Sequence, residues 1–211
     1  MLDPSGVEGR LADLGALLAQ RGAHIEIVVV GGAALLLRGD IVRLTGDVDV
    51  LAVAAGGRPE YPDPLPMVLQ EAARTVAANY GLDDDWLNAV AARGWDRSWP
   101  DGLPEGLIAD ADWRTFGGLR VGVASRGALV ALKVHAVVDR SRASAFDDDG
   151  RVTEVDLSPA DARRHLADLL ALSPSDEDLR AAGVWVAEQD TSPDLPVFLG
   201  AIDRHVRDAR R

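Results

Sequence analysis

Two aspartates, Asp47 and Asp49, stand two residues apart in the run Asp47-Val48-Asp49-Val50-Leu51-Ala52-Val53. The run reads as a strand, and side chains at i and i+2 of a strand share a face. Two carboxylates placed in this way repel one another unless water or a cation stands between them. A hard divalent ion such as Mg²⁺ takes oxygen ligands, commonly one or two carboxylates completed by substrate phosphates. Upstream, the β-branched run Ile25–Val30 is interrupted by Gly31-Gly32, after which Ala33–Arg38 reads as helical. A glycine pair at a strand-to-helix turn lets backbone N–H groups approach a phosphate at the helix N-terminus. One half of the stretch suits phosphate and the other suits its metal, so the whole suits a nucleoside triphosphate. Each half alone is a weak signal. An Asp-x-Asp strand usually marks an exposed face, and Gly-Gly after a strand is often only a turn.

The elements that must position these residues follow from periodicity and punctuation. Leu11, Leu14, Leu17 and Leu18 fall at helical spacing in residues 6–21, with Gly22 as a stop. Gly39-Asp40 ends the short helix after Gly31-Gly32. Residues 55–66 are rich in Pro and Gly and read as a loop, residues 67–80 and 84–92 as helices, and residues 93–106 as irregular. Two short strands, Asp112–Phe116 and Leu119–Ala124, are joined by Gly117-Gly118 as a hairpin. A strongly apolar helix spans 126–139, and residues 141–157 read as a mobile loop. Ser158-Pro159-Ala160-Asp161 and Ser175-Asp176-Glu177-Asp178 have the form of helix starts, so the last 50 or so residues are expected to be mostly helical. Few strands among many helices give an α/β (α+β) fold with a small mixed β-sheet flanked by helices and a helical C-terminal region.

Composition narrows the function. The chain has 211 residues and 47% hydrophobic content, enough for a packed core. It lacks cysteine, which excludes disulfides and thiolate metal sites. The longest apolar runs fall short of the roughly 20 residues that span a bilayer, and the first ten residues carry acids where a signal peptide carries Lys or Arg. A cytoplasmic location with no membrane partner is expected. The net charge of −12 argues against a broad nucleic-acid binding surface. Of the 22 basic residues, Lys133 alone is lysine.

The stretch Gly31-Gly32-Ala33-Ala34, Arg38-Gly39 and Arg43-Leu44-Thr45-Gly46-Asp47-Val48-Asp49-Val50 resembles the signature of the nucleotidyltransferase fold of the DNA polymerase β superfamily. It looks closest to the bacterial branch that includes AbiEii-type toxins and related nucleotidyltransferase-like proteins. The match is dense over residues 28–52 and looser over 119–139 and 158–172. The resemblance implies a core over residues 1–125 and a helical region over 126–211 packed on it. It implies that Gly31 and Gly32 support the triphosphate, that Arg43 and Thr45 lie beside the phosphates, and that Asp47 and Asp49 bind Mg²⁺ or Mn²⁺. It implies further that Lys133 neutralises the triphosphate and that Asp168 is a helical acid near the site. The reaction it implies is transfer of a nucleoside monophosphate from NTP to an acceptor hydroxyl, on a tRNA or a protein. A cognate antitoxin would then be a partner, in a toxin–antitoxin or phage-defence pair.

The strand Leu119–Ala124 carries no carboxylate where active members often have a third one, and Asp168 is taken as its substitute. The alternative is a catalytically silent nucleotide-binding or protein-interaction module. Lys133 stands in a nearly apolar helix, where it must reach outward along its stem or meet an anion. A compact ammonium suits a phosphate contact in a chain that otherwise uses arginine. His24, His135, His165 and His205 are scattered, and His165 is expected on a solvated helix face. The five tryptophans are expected to anchor the core and loops. Asp147-Asp148-Asp149 is expected in a solvated loop.

Overall fold

The computed structural model describes residues 1–56, 58–95, 103–104, 106–142, 145, 152 and 155–211. The acidic run 147–149, most of the expected 141–157 loop and Trp99 lie outside them. The chain divides into two units, Met1–Ser125 and Arg126–Arg211. No described helix is long and apolar enough to cross a membrane.

The first unit carries the sheet. Helix α1 (Pro4–Gln20) starts at Asp3, whose carboxylate accepts from the Gly6 N–H at 2.6 Å. It buries Val7, Leu11, Leu14 and Leu18. Strand β1 (Ile25–Val30) has the expected bounds and runs straight into α2 (Gly31–Arg38), which ends on Gly39 at φ 79°. Strand β2 (Val48–Ala55) follows, then β3 (Arg58–Glu60), α3 (Met67–Tyr80), β4 (Leu87–Asn88) and a 3₁₀ turn (Val90–Trp95). The hairpin β5 (Asp112–Phe116) and β6 (Leu119–Val123) closes the unit. The sheet order is β3-β2-β1-β6-β5, with β4 also paired to β2. Strand β1 is antiparallel to β2 and parallel to β6, so the sheet is open and mixed, in line with an α/β (α+β) fold.

Three expectations in this unit are corrected. Residues 55–66 are not all loop, because β3 pairs with β2 through Val53–Glu60, Ala54–Pro59 and Ala55–Arg58. Residues 84–92 are not an α-helix: Leu87–Asn88 is a strand, and 90–92 fall in the 3₁₀ turn. Trp86 is buried with its indole N–H donating to the Ala73 carbonyl at 3.0 Å, and Leu87 pairs with Val48. Burial of that indole and pairing with β2 hold the segment extended, and tertiary contacts override local propensity. Finally, Asp47 precedes β2 rather than opening it.

The regular elements named in the second unit are helices. Helix α4 (Arg126–Arg142) packs against α5 (Ala160–Ala171), α6 (Asp176–Gln189) and α7 (Leu195–Ala209). Helix α6 starts with the expected N-cap: Ser175 Oγ accepts from the Asp178 N–H, and Asp178 accepts from the Ser175 N–H at 2.6 Å. Helix α5 starts one residue later than its sequence suggests, with Pro159 at the cap position and no side-chain cap bond. Arg126 donates to the carbonyls of Leu172 and Ser173 at 2.9 and 2.6 Å and to Asp178 at 2.9 Å. A single guanidinium thus satisfies carbonyls left open after α5 and ties them to the first turn of α6.

Candidate active site

The geometry of the site begins with the register of β1 and β2. Val30 is opposite Asp49 and Val29 opposite Val50, but Val28 is opposite Ala52. The register shift is a bulge, a device that re-aims the side chains near it. Val48 and Val50 are fully buried, while Asp47 and Asp49 are half-buried. The alternation expected of the Asp-x-Asp run is therefore present, with valines directed inward and acids away from them.

Because Asp49 lies across from the last residue of β1, its carboxylate falls at the first residue of α2. A Cβ built on Gly31 would overlap the Asp49 carboxylate, with Cγ at 3.1 Å. Gly31 also has φ 67°, a conformation that other L-residues adopt only with strain. Both facts require glycine at this position. Val30, at the cap position of α2, is extended and provides no side-chain cap. The first N–H groups of an α-helix have no partner within the helix.

Gly32 is required by a second close approach. A Cβ there would stand 2.8 Å from Thr45 Oγ1 and 3.7 Å from a terminal nitrogen of Arg43. Thr45 is fully buried. Its hydroxyl lies 3.4 Å from the Asp47 carbonyl oxygen and 3.4 Å from Asp47 Oδ1. Gly31, Gly32, Arg43, Thr45, Asp47 and Asp49 are thus brought together as the sequence predicts. On its other side Asp49 pairs in register with Asn88 of β4, a neighbour that no sequence signal indicated.

Lys133 and Asp168 lie in the second unit and meet each other. Lys133 Nζ donates to Asp168 Oδ2 at 2.7 Å, with Lys133 5% and Asp168 1% exposed. Lys133 therefore meets an anion and does not reach outward to solvent. A lysine and an aspartate are almost never buried this fully unless paired. His165, one turn before Asp168 on α5, is half-buried, and its Nδ1 has no hydrogen-bond partner. The solvated helix-face histidine expected from the sequence is not what the fold makes. Burial, with the nearby Lys133 charge second, pushes the imidazole down to about 4. His135 on α4 is likewise lowered by burial, with its ring 5.8 Å from that of Trp185. The described tryptophan side chains act as anchors. Trp86 is in the core, Trp113 lies over Gly122 with Arg120 stacked 4.4 Å from its ring, and Trp185 is 9% exposed.

Among the described residues no group of three or more His, Cys, Asp or Glu is arranged to hold a metal ion. The Asp47 and Asp49 carboxylates, with the Thr45 hydroxyl beside them, are an all-oxygen set. Such a set fits Mg²⁺, which keeps waters and takes the rest of its shell from substrate phosphates.

A family described as nucleotidyltransferases of unknown function (DUF6036) matches residues 10–59. That segment runs from α1 into β3 and contains every candidate residue of the first unit; Lys133 and Asp168 lie beyond it. The match supports a nucleotidyltransferase-like family for a segment of about a quarter of the chain. No curated protein and no solved structure matches.

Proposed function

We propose that the protein is a Mg²⁺-dependent nucleotidyltransferase that transfers a nucleoside monophosphate from NTP to an acceptor hydroxyl. One observation carries the reading: the Asp49 carboxylate lies against the start of α2 at Gly31, with Asp47 two residues away. In the reaction, the acceptor oxygen forms a bond to the α-phosphorus as the bond to pyrophosphate breaks. Gly31 and Gly32 leave side-chain-free backbone for the phosphates, and the α2 N-terminus favours their charge. Thr45 and Arg43 donate hydrogen bonds beside them. Asp47 and Asp49 hold the metal, which when bound neutralises the leaving phosphate and eases deprotonation of the acceptor. In the second unit Lys133 and Asp168 pair with each other.

Within this reading the protein is of the AbiEii-like kind, the toxin half of a toxin–antitoxin or phage-defence pair. Its acceptor is a tRNA or a protein. Labelled NTPs with Mg²⁺, tRNA and total protein test both acceptors at once. Label on either fraction, lost in Asp47→Ala, supports the assignment; label transfer unchanged in that variant overturns it.

A second reading is favoured by one observation, the lack of a third carboxylate beside Asp47 and Asp49 among the described residues. In it the site binds nucleotide without turnover. Calorimetry separates the two, because binding of NTP with no pyrophosphate release selects the silent module.

A further inference from the structure

Thr45 is fully buried, yet it lies in the irregular stretch between α2 and β2. Its neighbours along the chain are exposed, Val42 at 93% and Leu44 at 46%. The backbone hydrogen bonds that hold it run to Leu2. The Leu2 N–H donates to the Thr45 carbonyl at 2.6 Å, and the Thr45 N–H donates to the Leu2 carbonyl at 2.9 Å. This is an isolated antiparallel bridge of one residue on each side. Leu2 is itself 3% exposed. The next residue, Asp3, caps α1 through its side chain, and its carbonyl accepts from the Val7 N–H at 2.9 Å. The bridge therefore fastens the Thr45 segment to the start of a helix whose leucines are in the core.

We infer that Leu2 is a positioning residue for the nucleotide site, acting through its backbone. Its bridge holds Thr45 against Gly32 and Asp47 in the arrangement that receives the triphosphate. The inference rests on the nucleotidyltransferase reading and adds to it a part of the chain far from the Gly-Gly and Asp-x-Asp motifs. Without the bridge, the 39–46 segment samples other arrangements, and nucleotide binds only the fraction that has Thr45 in place. Linkage makes the effect reciprocal, so nucleotide binding must strengthen the bridge.

Two measurements test this with the full chain, Mg²⁺ and the α,β-methylene analogues of ATP, GTP, CTP and UTP. In the first, hydrogen exchange of the Leu2 and Thr45 amides is followed in the wild-type protein. Saturating analogue should slow both by about fivefold, the scale of one net hydrogen bond. Unchanged exchange in the saturated protein overturns the inference. In the second, Leu2→Pro removes the donor, while Leu2→Met keeps both backbone bonds and the buried volume. Leu2→Pro should weaken analogue binding by about fivefold, and in turnover raise KM more than it lowers kcat, with Leu2→Met restoring most of the affinity. Equal affinities for Leu2→Pro and wild type overturn the inference. If Leu2→Pro does not fold, the wild-type exchange result decides. If the wild type binds none of the four analogues, the nucleotidyltransferase reading itself fails, and the positioning role falls with it.

Discussion

The carboxylate of Asp49 occupies the space in which a side chain on Gly31 would begin. The β1–β2 register places it there, because Asp49 is opposite Val30, the last residue before α2. A substitution at Gly31 must therefore displace the acid and also adopt φ 67°. Gly31→Ala is expected to lose at least tenfold in nucleotidyl transfer and to destabilise the fold by about 1–2 kcal/mol, the cost of a left-handed conformation for an L-residue. Transfer assays and urea denaturation read the two effects separately. Full activity in Gly31→Ala would show that Asp49 is free to move without consequence.

Thr45 offers a test that leaves packing nearly intact. Thr45→Val keeps the shape of the buried side chain and removes the hydroxyl 3.4 Å from Asp47. Nucleotide affinity should fall severalfold, and Thr45→Ser should restore most of it. Calorimetry with a Mg·NTP analogue checks this. Equal affinities for Thr45→Val and wild type would remove the hydroxyl from the site.

The Lys133–Asp168 pair is a test of stability within the second unit. Removing one member leaves a buried charge unpaired, so Lys133→Met and Asp168→Leu should each cost about 3–5 kcal/mol. The double variant should recover most of that loss, because an apolar pair of similar volume is often neutral in such places. Denaturant midpoints measure this.

His165 predicts how stability depends on pH. Its imidazole is pushed down to about 4 from the ordinary 6.5, first by burial and then by the Lys133 charge, with Arg140 and Arg164 adding to it and Asp168 opposing. Between these values the unfolded chain binds a proton that the folded one does not. The contribution of His165 is therefore complete above about pH 6.5 and is lost as pH falls toward 4. Burial of His135 acts in the same direction. Melting temperatures recorded from pH 7.5 to 5 should fall, and His165→Gln should fall less. Parallel curves for the two proteins would contradict the assignment.

Much of this was legible in the sequence, for physical reasons that differ by element. Strand β1 and helix α3 have their expected bounds because a β-branched run and a helical spacing ending in Gly81 depend on local preference. The Gly-Gly and Asp-x-Asp residues could be read because their spacing alone sets faces and turns. Strands β3 and β4 could not, since three and two residues are extended only because β2 is there to pair with. The partner of Lys133 was not fixed by spacing either, because it stands 35 residues away on another helix. The Leu2–Thr45 bridge left no mark at all, since backbone groups are common to every residue.

Asp47 and Asp49 are proposed to serve a metal-dependent transfer of a nucleoside monophosphate. The most direct measurement is pyrophosphate release and acceptor labelling from α-labelled NTP with Mg²⁺, for wild type, Asp47→Ala and Asp49→Asn. Wild type should label its acceptor and release pyrophosphate in equal amounts, only with the metal present. Both variants should fold with near-native melting temperatures and lose about a hundredfold or more, as expected when electrostatic groups at a reacting phosphate are removed. Transfer by either variant at the wild-type rate would contradict the claim.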